Sequence, residues 1–276
     1  MLNFLAPQAD VDVAAALCDW IMKDDWKESR APRAAFVAYE AATSRHSDHP
    51  LLFQAAKEKG VEWTPHVFYP FTATDYSMEV RKLIDDQKCD YVYMRGPPAN
   101  NGMLLKDAAR LGLKDKAKWV LCNFSLEPCV GEIAGLDVIP GTLGSCAHGT
   151  VETNDAAPAV AEIKALHDKY HPDIPFANMY LWGNRMAVTA DAVIMTTLER
   201  VGLEGLTGTE FAESMWDVKD LDFNGNGMPL TMEQGNIAVD HYIQVVEWGT
   251  DGLPHIISDY TRCPWLIGNP EVNWRK

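Results

Sequence analysis

AAFVAY at Ala34–Tyr39 is followed at βα spacing by VEWTPHVFY (Val61–Tyr69), DYVYMR (Asp90–Arg95), KWVLCN (Lys118–Asn123) and LDVIP (Leu136–Pro140). Each run is short, apolar and rich in β-branched or aromatic residues, and a helix-like segment follows it. Strands alternating with helices predict a parallel sheet covered on both faces. The expected fold class is therefore α/β, a Rossmann-like parallel sheet with helices on both faces. Such sheets take ligands at the carboxyl ends of their strands, so the residues just after each run are the first candidates for function.

Outward from these runs, Asp10–Met22 carries an apolar stripe (Val11, Ala14, Ala15, Leu17, Cys18, Ile21) with Asp10 or Asp12 as cap. His49–Lys59 reads as a helix stopped by Gly60. Further helices are expected at Met78–Ile84, from GPPANNG (Gly96–Gly102) through Leu111, and at Pro128–Ala134. After the fifth run the pattern changes. Residues 141–156 are small and polar and read as a crossing between lobes. Helices at Pro158–Tyr170, Met179–Val201 and Thr207–Trp216 follow, then two β-like runs, His241–Trp248 and His255–Tyr260, joined as a hairpin. The expected division is a βα lobe over 1–145, returning helices of a partial second lobe over 146–240, and closing strands and tail over 241–276. The returning helices have apolar faces that need a sheet, and few strands are left to cover them.

A net charge of −15 argues against nucleic acid as partner, because neutralising phosphates needs clustered Lys and Arg. It argues equally against an anionic membrane surface. No apolar run reaches the roughly 18 residues of a membrane span, and MLNFLAPQAD at the start lacks the basic and apolar regions of a signal peptide. The six cysteines form no CxxC pair and no zinc spacing; Cys122–Cys129 and Cys129–Cys146 stand open as disulfides.

Asp222–Glu233 (DFNGNGMPLTME) fits the calcium-loop pattern through Asp222, Asn224, Asn226 and Glu233. Pro229 and the strand-like residues after Glu233 favour a plain loop leading into a hairpin, so no metal is expected. His167 and His171 have zincin spacing, yet Pro172 places them in the last turn of a helix, where they complement its dipole. His46 and His49 follow the first strand. GPPANNG lacks the dinucleotide fingerprint but opens a helix whose first amides can face a ligand. No nucleophile elbow, phosphate-binding loop or kinase motif occurs, so binding is expected rather than catalysis, and no cofactor.

The order of segments carries a resemblance. AAFVAYEAATSRHSDH (34–49), the Gly60–Val61 junction, YPFTATDYSMEVRKLIDDQKCDYVYMRGPP (69–98) and LLKDAARLGLKDKAKWV (104–120) are similar to the type I periplasmic binding proteins. LHDKYHPDIPFANMYLWG (166–183), LTGTEFAESMWDVKDLDFNGNGMPLTM (206–232) and DHYIQVVEWGTDG (240–252) continue the likeness. The branch resembled is the branched-chain amino-acid (Leu/Ile/Val) ABC-transporter receptors. The resemblance implies one complete lobe and one partial lobe, with the first βα series of the family lacking. It further implies a small polar solute, such as a branched-chain amino acid or amide, gripped between lobes by hinge closure. The implied partner is a membrane permease, and the implied location of the parent protein is periplasmic or extracellular. Strand-end residues expected to touch solute are Thr43, Ser44, Arg95, Gly96, Pro97, Asn123 and Phe124, with Arg95 available to a carboxylate; Ser145 and Cys146 are hinge candidates. The alternatives are a small-metabolite enzyme, tested at His46, His49 and His148, and a ligand-sensing regulatory domain.

Overall fold

The computed structural model describes residues 9–45, 47–148, 157–236, 238, 241–266 and 269. It begins with α1 (Asp10–Trp20), prolonged by a π-type turn over Ile21–Asp25, and β1 (Arg33–Tyr39). A single turn, α2 (Ala42–Arg45), leads to α3 (Pro50–Glu58), β2 (Glu62–Trp63) and β3 (Val67–Tyr69). Then come α4 (Ser77–Arg81), β4 (Tyr91–Arg95), α5 (Pro98–Arg110), β5 (Lys118–Leu121), α6 (Pro128–Ala134) and β6 (Leu143–Cys146). The returning segment holds α7 (Pro158–Tyr170), α8 (Asn178–Val201) and α9 (Gly208–Ser214). Strands β7 (Tyr242–Trp248), β8 (Pro254–Ile256) and β9 (Thr261–Arg262) close the chain.

One sheet runs β2-β1-β4-β5-β6-β7-β8. β1, β4 and β5 are mutually parallel, as expected, β6 continues them in parallel, and β7 joins β6 antiparallel. The expected second strand is two short ones on the same edge of β1, β2 at Arg33–Ala34 and β3 at Val37–Tyr39. Pro65 lies between them and has no amide to give the ladder. Side chains alternate across β4, so Tyr91 and Tyr93 pack with α1 and α3, while Val92 and Met94 pack with α4, α5 and α6.

Leu136–Pro140 is not a strand. Gly135 turns the chain there at φ +112°, the amides of Val138 and Ile139 bond back to its carbonyl, and Pro140 ends the run. The fourth parallel neighbour is β6, inside the stretch expected to cross between lobes. Its small residues suit their place, since a Cβ on Gly144 would collide with the Leu126 side chain. Neither Asp10 nor Asp12 caps α1; Ala9 occupies the cap position, and both carboxylates reach other segments. All six cysteines are free thiols, so neither open disulfide pairing forms. Cys122 Sγ instead lies 3.2 Å from Ser125 Oγ, and Cys146 Sγ contacts the His148 carbonyl.

The returning helices stand on their own small cores. Val193, Met215, Phe223, Leu230 and Met232 form one; Ala159, Val160, Ile163 and Leu181 form another. A polar tie joins them to the segment between β5 and α6. The Glu127 carboxylate accepts from the Asn178 and Met179 amides at 3.1 and 2.9 Å, and the Asn178 side chain donates to the Leu126 carbonyl.

Candidate functional site

An arginine ending an otherwise apolar strand must find an anion or stay in water. Arg95 does the former. Its Nε donates to Asp10 at the start of α1, its Nη1 to Ser44 Oγ at 3.1 Å, and more loosely to Tyr39 Oη at 3.4 Å. The guanidinium carbon lies 5.8 Å from the Tyr39 ring centre and 5.5 Å from that of Phe124. Burial works against its charge, but the field and hydrogen bond of Asp10 outweigh burial and raise the pKa above its ordinary value. Tyr39 in turn lies 3.1 Å from Thr43 Oγ1 and meets Phe71 edge-on at 5.6 Å. The Thr43 contact leads in lowering the Tyr39 hydroxyl below its usual pKa.

The carboxyl ends of β1, β4 and β5 thus meet around one guanidinium. Thr43, Ser44, Arg95 and Phe124 belong to this group; Asn123 precedes Phe124, with its side-chain oxygen buried. Gly96, beside it, is buried, and its carbonyl accepts from Ser125 Oγ and, at 3.1 Å, from the Asn101 side-chain amide. A side chain at Gly96 would strike the Tyr69 hydroxyl. Pro97 caps α5. Asp10 supplies the carboxylate that faces Arg95 Nε. Sequence reading missed Asp10 and Tyr39; the signal was the arginine itself, whose burial demands a partner.

Ser145 and Cys146 end β6, both paired with β7, and Ser145 Oγ donates to the Leu121 carbonyl at 3.3 Å. In the calcium-like loop, Asn226 donates to the Leu181 carbonyl at 2.7 Å and Glu233 pairs with Arg262, so those two side chains serve packing. Among the described residues no cluster of His, Cys, Asp and Glu is arranged to hold a metal. His49 caps α3 by accepting from the Leu51 amide at 3.2 Å, and His148 is buried; His46 lies outside the described residues. His167 is buried against Tyr180 and Phe176. Cavities of about 610 and 500 Å³ lie elsewhere, lined around Asp19, Arg262 and Trp265 and around Lys23 and Tyr260; no strand-end candidate borders either.

Residues 4–253 match the sequence profile of a family described as periplasmic binding protein. The chain belongs to the periplasmic binding protein family. The fold agrees with the type I members that the segment order resembles. A branched chain amino acid ABC transporter from Thermus thermophilus with bound valine superposes at a TM-score of 0.77 and 18% identity, over 94% of this chain and 67% of that one. A fatty acid ABC transporter substrate-binding protein from Thermomonospora curvata gives 0.73 at 15% identity, over 94% and 64%. A solute binding protein from Rhodopseudomonas palustris BisB5 in complex with 3,4-dihydroxy benzoic acid gives 0.65 at 16%, over 92% and 65%. At such identities the likeness is one of fold. This periplasmic binding protein spans about two-thirds of the length of those structures. No match is found among curated protein sequences. No helix among the described residues is long and apolar enough to cross a membrane.

Proposed function

We propose that this chain is a solute-binding component of an ABC importer, holding a small solute non-covalently at the carboxyl ends of β1, β4 and β5. The observation that carries the reading is the meeting of Tyr39, Thr43, Ser44 and Phe124 around Arg95, where a parallel sheet offers its ligand groups. Residues 1–145 with the closing strands form the solute-bearing lobe, residues 146–240 belong to a second lobe, and closure of the two buries the solute. The solute class includes branched-chain amino acids, amides and small aromatic acids, the partner is a membrane permease, and the site of action is periplasmic or extracellular. Valine, fatty-acid and dihydroxybenzoate binding among the structural neighbours supports the breadth of that class.

The test is a thermal-shift and calorimetric screen of valine, leucine, their amides, hydroxybenzoates and short fatty acids. A bound solute raises the melting temperature by mass action. The expected result is one class that stabilises the chain, with the effect lost in Phe124→Ala. Stabilisation that survives Phe124→Ala, Asn123→Ala and Thr43→Ala together would move the site elsewhere.

A further inference from the structure

The guanidinium at the strand tips is the natural anion ligand of this lobe, and the chain has cancelled it. Arg95 and Asp10 have side chains only 11% and 13% exposed, so their opposite charges face each other with little intervening water. The next cation along, Arg45, is joined to Glu40 at 2.5 Å. A carboxylate brought up to Arg95 would approach the Asp10 carboxylate too, and the repulsion would offset most of the attraction. What remains exposed to a visitor is aromatic and neutral: Tyr39, Phe124 and Phe71.

We infer that Asp10 is a specificity-determining residue: by neutralising Arg95 it excludes carboxylates from this half of the site and selects an uncharged group. That group is neutral and polar and sits on an apolar or aromatic body, as a primary amide on a ring does. The inference rests on the strand-tip reading of the proposed function and narrows its solute class. Any carboxylate of the solute then lies away from Arg95.

Benzamide and benzoate, which share a ring and differ in the charged group, are suitable probes. Each is titrated at millimolar concentration into the isotopically labelled 276-residue chain, and the backbone amide resonances of Arg95, Asn123 and Phe124 are followed. Benzamide should move these resonances with an affinity about fivefold or more above that of benzoate. In Asp10→Asn, near-isosteric with the native side chain, benzoate should gain at least about as much relative to benzamide. Benzoate binding tighter than benzamide at these resonances in the native chain overturns the inference, and needs no variant to show it. Equal benzoate affinity in the native and Asp10→Asn chains overturns it as well. If neither probe moves the strand-tip resonances in either chain, the strand-tip reading itself fails.

Discussion

Gly96 shows how closely the strand tips are fitted. Its missing side chain lets the Tyr69 hydroxyl and the Asn101 amide oxygen approach the backbone just past Arg95. Gly96→Ala should destabilise the fold by roughly 2 kcal/mol through overpacking, read as a lower denaturant midpoint. Tyr69→Phe, which removes the colliding hydroxyl, should restore part of that loss in the double variant. His66 offers a second residue-scale test. Its Nε2 accepts from Trp63 at 3.1 Å inside a cluster with Phe36 and Phe53, and burial lowers its pKa to about 4 against the opposing pull of Asp48. In the unfolded chain the imidazole titrates near about 6.5. Its contribution is therefore complete above that pH and is lost as pH falls toward about 4, because unfolding then takes up a proton. Urea midpoints between about pH 7 and 4.5 should fall more steeply in the native protein than in His66→Gln; parallel curves would remove the assignment. Sequence reading found Arg95 and its neighbours because they follow strand-like runs. It missed Asp10 because a carboxylate at a helix start reads equally well as a cap, and only the folded chain brings it across to β4.

The same limit appears one level up, in the elements. Helices with clear stops, such as α6 and α7, were legible to the residue. The short apolar run Leu136–Pro140 was not, because five residues have no period that separates a strand from a turn. Conversely, β6 hid in LGSC, whose small residues resemble a linker until Leu126 and Val246 are seen packed on Gly144. Among the helices, α8 depends on a residue far from it in sequence. Glu127 accepts from two of its first amides and so takes the place of a local cap. Glu127→Ala should cost about 1–2 kcal/mol and speed hydrogen exchange at Asn178 and Met179, with amides of β4 and β5 unchanged. Unaltered exchange at those two amides would show that water satisfies the helix start equally well.

At the scale of the molecule, the sheet is clad by two apolar layers, while α7, α8 and α9 rest on two small clusters. Large apolar side chains of the returning segment stay open, Met195 on α8 at 49% and Leu203 in the turn after it at 79%. The two parts should accordingly differ in stability. Calorimetry should show a weak early transition and a stronger later one, with exchange protection lost first over α7–α9. A single transition with simultaneous loss throughout would mean that the Glu127 tie couples them fully. Composition set the expected boundaries at 145 and 241, the first of them inside β6, and could not reveal that β6 and β7 are neighbours. Cys146 and Gln244 face each other in antiparallel register, so the chain leaves the sheet and re-enters it about one strand spacing away, ~5 Å. An engineer could therefore delete residues 149–241, splice in a two-residue reverse turn, and obtain a miniature receptor half whose rim is free for grafting.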